Sequence, residues 1–535
     1  MRLRTAPQVV LPRGERAQGP VAVRSDRTGF WTPIGLVALA FVLALMLGAG
    51  AATGQKLIII GLLGVVGGLA VLAVPVTWTF WTMIVMSLVV VGPATYFLRL
   101  SQLQWLPALL GAVLYVQALV ILIVRSTKST GAGAGMPGFA YMLALFWLTA
   151  AFSSVLGRVS LTEALMGSRY YVLVWGALMV FFVGAVSPAT IDRVWKALLL
   201  FATFQFPMAA YQYLFVAQKR ATGEIQSTGA PPWDAVIGTF PGTDIGGGNS
   251  AAMGFFGLSM LLLAVALWRE KRLSAGRALT VVLCALGSIA LAEVKAIVLL
   301  IPVALGLLYR RELARHPAHA LAALVGGVLI AGLLLWGYQK IHYETRVIDP
   351  KAELANATVL DRLARAINPP DYEGSGDALN RVGNLARWRD QQAATSDIYR
   401  TLFGHGIGTT QYSNLEVGRL VRRFGPDIGR TSLVILLWET GIVGTLVFAC
   451  LLGSGAWLSA RLARDARIPD QHRLFLRVGA LLLFLLLLTL PYKNYAVRLT
   501  GIQLLMILML GQAFYWWRFT RPVSAAVPGS PPASA

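Results

Sequence analysis

The sequence predicts an all-α polytopic membrane protein of about 14 transmembrane helices, and three observations carry that prediction. Apolar runs near 20 residues recur from Phe30 to Tyr515, parted by short breaks rich in Arg, Gly and Pro, which is the length one helix needs to cross a bilayer. Only 13% of the 535 residues are charged and 56% are hydrophobic, with a mean hydropathy of +0.66; a soluble chain of this size needs a more polar surface. The basic residues also alternate, crowding into every second break.

The spans read as 30–49, 57–74, 76–97, 105–124, 139–156, 170–187, 195–216, 250–268, 278–292, 296–309, 320–337, 431–452, 474–490 and 496–515. The run 30–49 follows an Arg-rich tail, 1–29. Despite Ala49-Gly50-Ala51 it is read as a retained helix, because it is as long as a full span. The pair 278–292 and 296–309 is read as two short helices, since one continuous helix would bury both Glu293 and Lys295. With the N-terminus inside, the inside loops from the fourth span onward are basic, as at Arg125/Lys128, Arg269/Lys271/Arg272 and Arg461/Arg464/Arg467. Both termini are then cytoplasmic. The net charge of +22 becomes a topology signal facing anionic membrane lipids, and no nucleic-acid partner is expected. Cys284 and Cys450 both fall in apolar runs and read as packing residues.

The domain organisation follows. A transmembrane bundle covers 30–337 and includes an outside loop at 217–249. A large outside loop fills 338–430, C-terminal helices fill 431–515, and 516–535 is a Pro/Ala/Ser-rich cytoplasmic tail expected to be disordered. The large loop is too long for a plain connection. Helical spacing at Ala355–Ala366 and Asp377–Thr401, interrupted by Asn368-Pro369-Pro370, predicts a partly helical loop of its own.

Candidate chemistry concentrates outside. His405 lies between two glycines, where backbone can approach a ligand and an imidazole can move a proton near neutral pH; the competing reading is an exposed loop histidine after a helix. Arg381, Arg387 and Arg430 are suited to fork a phosphate or to anchor at lipid headgroups. Asn249 opens the eighth span after a Gly-rich stretch, Phe240–Asn249, where a helix N-terminus attracts anions; Lys219 and Arg220 share that loop, and Lys295 sits at a tight outside turn. Glu439, nine residues beyond Arg430, lies roughly 13 Å deeper and reads as a buried structural partner. No HExxH, P-loop or nucleophile elbow occurs, and the outside loops hold only His342 and His405, so neither a metal nor a cofactor is expected.

Leu402-Phe403-Gly404-His405-Gly406-Ile407-Gly408 resembles the "fGhGxG" turn of bacterial O-antigen polymerase/ligase-type membrane proteins, the Wzy/WaaL-like superfamily. Leu437-Trp438-Glu439-Thr440-Gly441-Ile442-Val443-Gly444 resembles their "lxExGxxG" helix. Gly238-Thr239-Phe240 followed by Asn249 is similar to their "GTF…pN" stretch, and Glu293-Val294-Lys295-Ala296 occupies the place of their "SRga" turn. The resemblance covers roughly residues 200–500. It implies a GT-C-like, inverting, metal-independent glycosyltransferase of the inner membrane, acting at the periplasmic face on glycans carried by undecaprenyl diphosphate. Arginines would hold the diphosphate (Arg381, Arg387, Arg430), His405 would assist the acceptor, and a flippase and a chain-length regulator of the same pathway would be partners. Ligases of the family carry a histidine eleven residues before the GxxG glycine. Counting back from Gly441 gives Arg430 and then Thr431, which favours a polysaccharide polymerase over a ligase to lipid A core or protein. A non-enzymatic transporter of the same lipid-linked glycan would need charges along several spans, and few occur.

Overall fold

The computed structural model describes residues 74–126, 135–224, 232–245, 247–292, 294–339, 381–412 and 416–521. The expected spans 30–49 and (save Val74) 57–74, the helix at Ala355–Ala366, Glu293 and the tail beyond Arg521 lie outside them. What is described is almost wholly helical, with eight helices long and apolar enough to cross a membrane. In order, these are α1 (Val76–Phe97), α2 (Ser101–Val124), α3 (Gly138–Leu156), α4 (Leu161–Phe182), α5 (Pro188–Ala221), α6 (Ser250–Arg269), α12 (Ser432–Leu462) and α13 (Asp470–Leu488). Between and after them come α7 (Ala275–Leu291), α8 (Lys295–Arg315), α9 (Pro317–Gln339), the loop helices α10 (Arg381–Thr395) and α11 (Ile398–Phe403), and the last helix α14 (Thr500–Thr520). Helices α7 and α8 are separate, and α8 begins at Lys295. Helix α14 is buried on nearly every side and forms the axis on which α12, α13 and α4 pack.

The sixth expected span needs correction. It starts at Leu161 rather than 170, because Ser160 and Glu163 form a reciprocal capping box: the Ser160 hydroxyl accepts from the Glu163 N–H and the Glu163 carboxylate accepts from the Ser160 N–H. The helix then relaxes through a 3-10 turn at Leu173–Trp175 before resuming at Gly176. Arg169, expected in a loop, therefore lies within the span. The other departure from an all-helical chain is a two-residue ribbon, β1 (Gly242–Thr243) paired antiparallel with β2 (Gly247–Gly248).

Two irregular helices set the geometry of one end of the bundle. α1 carries a π-helical stretch at Met86–Val90, and its Leu88 carbonyl accepts the Thr239 hydroxyl. Gln205 and Gln212 of α5 clamp the same turn: the Thr239 N–H donates to Gln205 Oε1 at 2.9 Å, and the Ile237 and Gly238 N–H groups donate to Gln212 Oε1 at 2.9 and 2.7 Å. Within α12, Gly441 is non-helical at φ 68°. The break frees the carbonyls of Trp438 and Glu439, and the N–H groups of His405 and Gly406 satisfy them at 2.7 and 2.9 Å. The two stretches that resemble family motifs thus dock on one another.

Gly404 has φ 80°, and a Cβ there would lie 2.6 Å from the Glu439 carbonyl carbon; at Gly441 it would overlap the Leu402 carbonyl. Each position suffers both a left-handed backbone and a backbone clash. Gly404→Ala and Gly441→Ala are expected each to lower stability by about 2 kcal/mol or more, read as a drop in the melting temperature of the protein in detergent. Gly453→Ala, which meets open space, serves as the neutral comparison.

Candidate functional site

A cavity of about 200 Å³ opens where the ends of several helices meet. Five segments distant in sequence supply its walls: Ser87 and Val91 of α1, Gln104 and Pro107 of α2, Arg169 and Tyr170 of α4, Pro241, Gly242 and Asn249 before α6, and Asn494 to Gly501 leading into α14. Asn249 caps no N–H of its own helix; its amide donates instead to the Pro241 carbonyl at 2.6 Å, which fastens the ribbon to the cavity rim. Asn494 donates to the Gly429 carbonyl at 3.0 Å, and Ser432 bonds the Lys493 carbonyl through both its N–H and its hydroxyl. The 491–499 segment and the residues around Arg430 are therefore held as one wall.

Two arginines in this cavity escaped sequence reasoning. Arg498 approaches Glu439 at 3.5 Å and donates to the Thr410 hydroxyl. Glu439, 2% exposed, also accepts from the Thr410 N–H at 3.1 Å and from its hydroxyl at 2.6 Å. Glu439 is thus the buried partner of an arginine on another helix. Arg169 is 6% exposed and has no carboxylate partner among the described residues. One guanidinium nitrogen donates to Gln104 at 3.4 Å, the group lies over the Trp105 and Tyr170 rings, and its Nε is buried without a hydrogen bond.

Beside the cavity stands a second set of cations. Arg381, the first residue of α10, stacks over the Tyr492 ring at 4.2 Å. Lys493, next in sequence, is close enough to both Arg381 and Arg430 to feel their charge; burial pushes its ammonium below the usual lysine range, with Asp234 acting against those two arginines. The structure therefore brings together Arg381 and Arg430 from the sequence candidates and adds Lys493. Asn249 joins the neighbouring cavity.

The remaining candidates lie elsewhere. Arg387 donates to the Phe424 carbonyl at 3.0 Å and lines a separate, open surface depression with Asp390 and Arg423. Arg220 is buried beside Asp234 and Asp244, so acids already offset its charge. Lys219 is exposed and Lys295 begins α8; neither lines the cavity. His405 does not line it either. Its ring sits 5.5 Å from that of Trp438, its carbonyl accepts Arg419, and its Nε2 is buried without a partner among the described residues. Burial, reinforced by Arg400, Arg419 and Arg423 against Asp397, lowers its pKa to about 4. The ring is half-buried against Trp438 in the docked turn, outside the cavity.

The signal that sequence reading lacked was spatial. Arg169 and Arg498 each look like an ordinary basic residue near a span end, and only the fold puts both in one cavity. Among the described residues no group of three or more His, Cys, Asp or Glu could hold a metal. In comparison with known proteins, the chain matches no family model and no curated sequence.

Removing the carboxylate in Glu439→Ala leaves Arg498 partly buried without its counter-charge; a loss of about 3 kcal/mol is expected, with Glu439→Gln losing less because it can still accept from Thr410. Urea or thermal unfolding in detergent measures both. His405 supplies a pH signature. Its folded pKa lies below its unfolded one, so the unfolded chain takes up the proton first and stability falls as pH drops from about 6.5 toward 4. A shift of this size corresponds to about 3 kcal/mol, and His405→Asn should flatten that part of the stability–pH curve.

Proposed function

We propose that this protein is a polysaccharide polymerase of the bacterial inner membrane, joining undecaprenyl-diphosphate-linked oligosaccharide repeats at the periplasmic face by metal-independent, inverting glycosyl transfer. The observation that carries the proposal is the convergence of Arg381, Arg430 and Lys493 beside a polar cavity at one end of an otherwise apolar helix bundle. A diphosphate on a lipid carrier rides at the level of the headgroups, where such a cluster would receive it.

In this reading the acceptor hydroxyl oxygen attacks the anomeric carbon of the donor sugar from the face opposite the diphosphate. The bond between that carbon and the diphosphate oxygen breaks, and its electron pair leaves with the diphosphate. Charge builds on the leaving oxygen, and the three cations stabilise it there. The acceptor hydroxyl loses its proton as it attacks, and the departing diphosphate, itself a weak base, takes it up. Arg430 and Thr431 stand where the resemblance places a ligase histidine, which supports polymerisation over transfer to a different acceptor.

The test is purified protein in lipid vesicles, supplied with an undecaprenyl-diphosphate oligosaccharide and analysed by product size. A ladder of whole repeats is expected, with Arg381→Ala and Arg430→Ala each slowing its formation by at least about tenfold. A single transfer that requires an added acceptor lipid or protein would replace the polymerase by a ligase. Passage of the intact substrate across the bilayer with no new product would overturn the enzyme reading altogether.

A further inference from the structure

The cavity and the neighbouring cations are two distinct stations, and a single diphosphate accounts for only one of them. Arg381, Arg430 and Lys493 do not line the cavity, whereas Arg169 and Arg498 do. The cavity's own chemistry is also mixed. One side is cationic, and Arg169 is buried there with no carboxylate against it among the described residues and with an Nε lacking any hydrogen bond. A buried guanidinium held only by Gln104 and two ring faces, with no counter-ion, is costly unless an anion completes it.

Elsewhere the lining differs. The amides of Asn249 and Asn494 spend an N–H on the carbonyls of Pro241 and Gly429, which leaves their side-chain carbonyl oxygens as acceptors for hydroxyl donors. The hydroxyl of Ser87 donates to the Met83 carbonyl, so it too is left to accept. Val91, Pro107, Tyr170 and Leu499 add apolar surface. A diphosphate would satisfy the arginines but would leave the Asn249 and Asn494 carbonyl oxygens and the Ser87 oxygen without donors. A ligand with one oxyanion, several hydroxyls and an apolar ring face fits all of the walls. At interior packing density the volume of about 200 Å³ holds on the order of a dozen non-hydrogen atoms, the size of one sugar ring.

We propose that this cavity is a subsite for an acidic sugar, a uronate whose carboxylate is forked by Arg169 with Arg498 beside it and whose hydroxyls donate to Asn249, Asn494 and Ser87. The inference rests on the polymerase reading and deepens it: the glycan repeat contains a uronic acid, and Arg169 selects for it. The Arg498–Glu439 contact tempers the charge of the second arginine, so the cavity carries about the one positive charge that a carboxylate needs.

The test is direct binding to purified, detergent-solubilised protein by saturation-transfer NMR, using methyl β-glucuronide, methyl β-glucoside and inorganic pyrophosphate as probes. On the wild-type protein the glucuronide is expected to bind at least about tenfold more tightly than the neutral glucoside and not to be displaced by equimolar pyrophosphate. Arg169→Gln should abolish that preference, and because it removes an uncompensated buried cation its melting temperature should stay level or rise. Equal binding of glucuronide and glucoside, stronger binding of pyrophosphate in competition with the glucuronide, or no binding of any probe would each overturn the proposal on the wild-type protein alone. The polymerase reading fails separately. A repeat ladder from protein that ignores glucuronide refutes the uronate subsite only, while glucuronide binding without any polymer refutes the polymerase only.

Discussion

The structure depends on a broken helix and the turn that mends it. In a bilayer no water reaches a stray backbone carbonyl, so a helix that loses its regular bonds must find donors in its own protein. Gly441 interrupts α12, and the His405 and Gly406 N–H groups take up the carbonyls it releases. The Ser153 hydroxyl bonds the same Glu439 carbonyl from α3 at 2.5 Å. Once the turn is seated, Thr410 falls against the Glu439 carboxylate, and Arg498 is drawn to both. A backbone need in one helix thereby fixes a side chain that faces the cavity.

The glycines follow from that docking and not from looseness. Gly404, Gly406 and Gly408 all take positive φ, and each has backbone or side-chain atoms where a Cβ would stand: Glu439, Val159 with Ser154, and Glu163 with Gly167. Arg419 locks the far side by donating to the carbonyls of Gly157 and His405, while its own N–H meets Glu163 at 2.7 Å. His405 sits in the middle of this arrangement. Flanking glycines in a sequence mark either close approach to a ligand or close approach of two backbones, and here the second partner is the protein itself.

Part of the scaffold was legible in the sequence, because lipid imposes a pattern that a linear reading can follow: apolar length, and the end of α7 shortly before Lys295, where α8 begins. The capping box at Ser160 and Glu163 was equally written there, but a weakly apolar first turn (Leu161-Thr162-Glu163) hid the true start of α4. The cavity was not legible. Asn249 was found through its place before a helix, whereas Arg169, Lys493 and Arg498 gave no local sign. Charge at a span end ordinarily means snorkelling to headgroups, and only packing decides whether a particular arginine turns outward to lipid or inward to other helices.

That decision separates surface chemistry from passage through the membrane. A pathway for a polar glycan across the bundle would need polar or charged groups at successive depths. Along the central helix α14, Gln503 donates to the carbonyls of Tyr170 and Val497, and Gln512 accepts from Trp195 and donates to the Phe475 carbonyl, while the Gln503 Oε1 and the Trp516 Nε1 are buried without a hydrogen bond among the described residues. Between them run Leu504 to Leu510, all nearly or fully buried and apolar. Among the described residues this axis is an apolar core, and Arg169 and Arg498 line the cavity at one end of it. On the polymerase reading, such a site would hold an anion at one end of the bundle and stabilise its departure.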